Sequence, residues 1–137
     1  PRPIMLFSSP QERARETARL AFPAHPARIV EGLRERNWGI FEGRPVAELP
    51  PRTSTPDGGE GWADMLARIG TSLGDCINVA GDALPVIVAH SGVIRAARAL
   101  MGCDFTGPSA PNTTPLLFSI AAGKWQERPL VAARMDQ

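Results

Sequence analysis

The sequence predicts an α/β sandwich with a mostly parallel sheet flanked by helices. Two short, continuously apolar runs, Ile4 to Phe7 and Pro85 to Ala89, suit strands buried on both faces. Each is followed at once by a helical pattern, and the chain closes on two strand-like segments. Strand, helix, strand, helix, strand, helix and hairpin is the order of a single α/β domain, here over residues 1–137.

After the first run, SSPQERARETA has the makings of a helix start. Ser9 is the expected N-cap, Pro10 fits the first helical position, and Glu12 three residues after the serine completes a capping box. Ala14, Ala18 and Ala21 recur at helical spacing, and Pro23 with Pro26 stops the helix. Arg28 to Val30 reads as a short second strand. Gly32 to Gly59 is a long stretch without sustained periodicity, except for local helical turns near Val46 to Leu49, and a loop of that length is functional or disordered.

Glu60 to Val79 is the longest predicted helix, with Trp62, Met65, Leu66, Ile69, Leu73, Cys76 and Ile77 on one face. Gly81-Asp82 ends it. After the Pro85 to Ala89 strand, His90-Ser91-Gly92 turns sharply into a helix over Val93 to Met101, stopped by Gly102. Leu116 to Ala121 and Trp125 to Val131 are the hairpin strands, joined by Ala122-Gly123-Lys124.

Composition excludes several classes. With 137 residues, 43% hydrophobic, 21% charged and a net charge of +1, the chain is of the ordinary globular type. Its 14 arginines and one lysine are scattered along the chain, unlike a nucleic-acid footprint, so no nucleic-acid partner is expected. No segment has the apolar length of a membrane span, and the first residues are not built like a signal peptide. Cys76 and Cys103 have neither CxxC spacing nor neighbouring ligands, so two free thiols in a cytoplasmic protein and no metal are expected.

In sheets of this type ligands bind beyond the carboxyl ends of the strands. Two turns lie there, Phe7-Ser8-Ser9 and His90-Ser91-Gly92. Each offers free backbone N–H groups and a positive helix end, which favour an anion. Arg13, one turn into the first helix, is placed to reach over that end. Taken singly, Arg13 reads equally as a solvated surface charge, and His90 as a structural histidine. In the loop, Glu35 and Glu42 sit near Trp38 and Phe41, and a carboxyl beside apolar rings is a candidate proton donor because poor solvation favours its protonated form. Surface pairing with Arg34, Arg36 or Arg44 is the plainer reading of both.

Four segments together resemble the histidine phosphatase superfamily, the phosphoglycerate mutase-like family: SSPQERARETA, LRERNWGIFEG, PDGGEGWADMLARI, and VIVAHSGVIRAARALMG followed by APNTTPLLF. The resemblance implies a three-layer fold and hydrolysis of a phosphate monoester through a phosphohistidine, with no cofactor. It implies that Arg13 binds phosphate, that Glu35 donates the proton and that His90 is the second active-site histidine. Ser91 stands where many members have glycine and is either a further phosphate ligand or simply tolerated. Glu42 and Gly43 are implied to shape the loop. The family's Arg-His-Gly motif, which carries the nucleophilic histidine, does not occur in these residues, and His25 in a Pro-rich turn is not expected to replace it. The domain is therefore expected to be N-terminally incomplete, without its first strand and helix, and inactive by itself. Expected partners are a small phosphorylated substrate or phosphate, and a second copy in a homodimer or strand-exchanged oligomer that covers the open edges. The alternative reading is a pseudoenzyme or phosphate-binding module.

Overall fold

The computed structural model describes residues 2–130. Strand β1 (Ile4–Ser8) lies between β2 (Arg28–Ile29) and β3 (Leu84–Val88) in a three-stranded parallel sheet. β1 and β3 run side by side from Ile4 opposite Leu84 to Ser8 opposite Val88. Helices α1 (Glu12–Ala21) and α3 (Ser91–Leu100) follow β1 and β3, and α2 (Trp62–Ala80) precedes β3. An antiparallel hairpin of β4 (Leu116–Ala121) and β5 (Lys124–Pro129) closes the described chain.

The period of two along β1 places helices on both faces of the sheet. Phe7, with Met5 beside it, packs into the core of α2 and α3 residues that includes Met65, Ile69, Cys76, Val93 and Ala96. Leu6 points the other way and is buried with Ala14 and Ala18 of α1. Three layers result, as predicted.

The start of α1 differs from the expected capping box. The helix begins at Glu12, its N-cap is Gln11, and no side chain caps it. Ser9 Oγ does accept the Gln11 N–H at 3.2 Å, but its other partner is His90, which the local pattern could not show. The hydroxyl thus serves both partners, and the N-cap position itself falls to Gln11, two residues later than the pattern predicts.

α2 starts at Trp62, two residues later than predicted, after an extended Gly61 at the N-cap, and Glu60 before it pairs with Arg68 at 2.6 Å. Its buried line is Met65, Ile69, Ser72, Cys76 and Ala80. Ile77, expected on the inner face, is 47% exposed: it lies about 100° round the helix from Cys76. The hairpin turn has two residues rather than three, Ala122 (φ 53°) and Gly123 (φ 77°), the left-handed pair whose twist suits a tight hairpin. The last predicted strand residue, Val131, lies outside the described residues.

The long loop is ordered by one buried arginine. Three single 3-10 turns, Glu31–Leu33, Gly39–Phe41 and Val46–Glu48, divide it. Leu33 is fully buried in the core with the α2 residues, and Arg36 is only 4% exposed. Arg36 donates from Nε to the Glu60 carbonyl at 3.0 Å, and from its two terminal nitrogens to the Arg52 and Ser54 carbonyls, each at 2.8 Å. Its guanidinium carbon lies 4.2 Å from the Trp38 ring centre. A buried guanidinium is tolerated because main-chain dipoles meet its fork of donors.

Candidate active site

β1 and β3 leave the sheet together, and the site forms where they do. The Ser9 N–H still donates to the Val88 carbonyl at 3.0 Å, so the two strand ends remain joined as the chains turn into α1 and α3. Ser8, Ser9 and His90 are buried there. Polar groups so placed need partners. Ser8 Oγ donates to the Ser9 carbonyl at 2.9 Å, and Ser9 Oγ lies 2.7 Å from His90 Nε2.

The third component comes from the loop. Arg68 donates to the Gly32 and Arg34 carbonyls and so fixes the chain just before Glu35. The Glu35 N–H donates to Gln11 Oε1 at 2.7 Å, tying the loop to the start of α1. The Glu35 carboxylate accepts the Gly92 N–H at 3.1 Å and the Arg36 N–H at 2.9 Å. It thus stands at the N-terminus of α3. The surface ion pairing considered for Glu35 is not formed. Glu42 instead accepts the Trp38 N–H, which folds the loop.

Gly92 admits this approach, because a Cβ there would collide with Glu35 Oε1. Gly92→Ala is expected to fold with stability within about 1 kcal/mol of the parent, since the displaced atom ends a side chain that can swing away. The variant should show Glu35 detached from α3 in a crystal structure; an unmoved carboxylate would contradict the role given to Gly92.

Arg13 and Ser91 complete the picture. Arg13 lies on the exposed face of α1, and its guanidinium has no hydrogen-bond partner among the described residues. It is near enough to His90 to disfavour imidazolium charge. Ser91 is exposed at the first position of α3. The ends of β1 and β3 therefore gather Arg13, Glu35, His90 and Ser91 round one helix opening. His25 is not among them: it packs edge-on to Phe22 in an open cleft beyond α1.

A profile of the histidine phosphatase superfamily (branch 1) matches residues 2–130. The chain belongs to the histidine phosphatase superfamily. The product of open reading frame Rv3214 of Mycobacterium tuberculosis shares the fold of this histidine phosphatase domain, with 18% identity, 90% of this chain and 69% of that one covered, and a TM-score of 0.77. A mycobacterial glucosyl-3-phosphoglycerate phosphatase, Rv2419c, in complex with inorganic phosphate has 23% identity, 94% and 76% coverage and a TM-score of 0.74. A putative alpha-ribazole-5'-P phosphatase from Escherichia coli has 20% identity, 94% and 73% coverage and a TM-score of 0.73. No curated protein matches the chain in sequence. Among the described residues of this histidine phosphatase domain, no helix is long and apolar enough to cross a membrane, and no three His, Cys, Asp or Glu side chains cluster as metal ligands.

Burial holds the His90 imidazole below its ordinary pKa; Glu35 opposes that shift and Arg13 adds to it. The folded protein then binds fewer protons than the unfolded chain at mildly acidic pH. Stability from neutral His90 is present in full above about pH 6.5, the unfolded value, and is lost as pH falls through the lower folded value. Urea unfolding between pH 7.5 and 5 should show this decline, and His90→Asn should flatten it. An unchanged slope in the variant would assign the decline to other groups.

Local sequence patterns did not reveal Gln11, Gly92 or the Ser9 to His90 contact. Each acts between elements distant in sequence. The one signal available was the rarity of buried serines at two successive strand-end positions, and it could be read only after the strand end was placed.

Proposed function

We propose that this domain binds the phosphoryl group of a small phosphate monoester and forms most of the pocket in which that ester is hydrolysed. The observation that carries the reading is the convergence of Arg13, Glu35 and His90 at the joined ends of β1 and β3. Arg13 and His90, with Ser91 and the first N–H groups of α3, bind the three phosphoryl oxygens, and Glu35 lies beside them where a leaving oxygen would depart.

In the reaction the P–O bond to the alcohol breaks as a bond from phosphorus to a histidine nitrogen forms, and Glu35 gives its proton to the departing oxygen. Water then attacks phosphorus, releasing phosphate and freeing the histidine. We assign His90 the role of the family's second histidine, not of the nucleophile, and its Nε2 is kept in place by Ser9 Oγ at 2.7 Å. The nucleophile belongs to an Arg-His-Gly strand that these 137 residues do not contain, and by themselves they turn over substrate negligibly. That Rv2419c is a phosphatase, seen with inorganic phosphate, supports the class of reaction. The free thiols Cys76 and Cys103 fit a reducing, cytoplasmic setting.

The engaged Nε2 of His90 also supports a second reading, a module that binds phosphate without turnover. Orthovanadate titrated by vanadium NMR tests the shared element of both. Weak binding is expected, abolished in Arg13→Ala; no binding to the parent chain would remove both readings. Among the described residues β3 pairs only with β1, and β4 only with β5, so each has an open edge. A second copy or a further strand pairs there, and sedimentation showing only a monodisperse monomer would count against the dimer.

A further inference from the structure

Beside Glu35 the structure has a recess. It has a volume of about 220 Å³ and opens between the long loop and the N-terminus of α3. Glu35, Ser91 and Gly92 are among its lining residues, so it adjoins the site described above. One wall is aromatic: the Arg36 guanidinium lies against Trp38 and faces Trp62, which in turn stacks on Phe105 at 5.6 Å. Leu49 and Met65 add apolar surface.

The charge of the recess is unbalanced. Arg36, Arg52 and Arg95 line it, against Glu35 alone of the acids. Arg36 spends its donors on three carbonyls, and Arg95 spends its own on the carbonyls of Phe105 and Gly107 and on Ser109 Oγ. Neutral partners satisfy hydrogen bonds but leave the charge of the lining in place, and the further acids within reach are Glu60 beside Arg36 and Asp104 near Arg95. Arg52 is exposed, and its guanidinium has no hydrogen-bond partner among the described residues; the charge of Arg95 is disfavoured first by burial and then by repulsion from Arg52 and Arg98, with Asp104 opposing. An anion in the recess would relieve that repulsion and give Arg52 a partner.

We infer that the recess receives the alcohol portion of the substrate, and that this portion is a compact apolar or planar group bearing a second anion, such as a carboxylate, which pairs with Arg52. The inference rests on the phosphoryl site proposed above. Its direction is fixed by Glu35: the oxygen that Glu35 protonates is bonded to the leaving group, so that group must extend past Glu35 into the space Glu35 lines. A dry cavity of about 150 Å³ accepts benzene, so this recess has room for one ring and its substituent.

The test is calorimetric titration of the whole chain with three probes: 4-(phosphonomethyl)benzoate, benzylphosphonate, and 4-methylbenzoate. The first is expected to bind about tenfold more tightly than the second, the gain of one charge-assisted pair. In Arg52→Ala the two phosphonates should bind alike, and in Arg52→Glu the order should reverse. Equal affinity for the two phosphonates in the parent chain, or a preference that survives Arg52→Ala, overturns the inference and leaves the phosphoryl site standing. If 4-methylbenzoate binds as tightly as its phosphonate counterpart, the phosphoryl site fails, and the substrate class falls with it.

Discussion

In a chain extended by an Arg-His-Gly strand ahead of residue 1, His90→Ala is expected to lower phosphomonoester hydrolysis by about 10²- to 10⁴-fold. The size of the effect follows from where His90 stands. It is buried at the N-terminus of α3 within electrostatic reach of Glu35 and Arg13, so a phosphoryl group bound as proposed would meet a fixed donor that water cannot replace at equal strength. Arg13→Ala should cost a similar factor through lost binding of the equatorial oxygens. If both residues hold the same group, as proposed, the double variant should lose much less than the product of the two single losses. Steady-state hydrolysis of a simple aryl phosphate measures all three. An extended chain inert toward every ester would remove the catalytic reading, and full activity in His90→Ala would reassign that residue to structure.

The largest stability effect is expected at Arg36. Arg36→Ala leaves the carbonyls of Arg52, Ser54 and Glu60 without their donor and empties the space beside Trp38. Hydrogen bonds from a charged donor contribute about 1.5 to 3 kcal/mol each, though they are not additive, so a loss of about 3 kcal/mol or more is expected. Glu35 is the next residue back along the chain, so loosening of the loop also releases the carboxylate from α3. Arg19 makes a useful contrast. It pairs with Glu16 on the open surface of α1, and Arg19→Ala should leave the urea midpoint where it is. A small effect at Arg36 would mean that the loop is held by its apolar contacts, chiefly Leu33.

The amino-acid sequence by itself determined the order of elements, because strands buried on both faces and helices with an apolar stripe declare themselves in runs and periods of a few residues. Ile4 to Phe7, the α2 pattern and the turn at His90 were legible for that reason. So was the family, whose segments keep their order along the chain. The tertiary structure alone decided the contacts that make a site of these pieces: Ser9 with His90, Gln11 with Glu35, Glu35 with Gly92, and Arg36 with three carbonyls of its own loop. Ser9 looked like a helix cap because a cap is the commonest short-range use of a serine before a helix, and the competing partner lay 81 residues away. Arg36 looked like a surface charge because burial of a guanidinium depends on where other strands and loops place their carbonyls. Such partners are separated by tens of residues, have no period, and are brought together only when burial of Phe7, Leu33 and Met65 closes the chain around them.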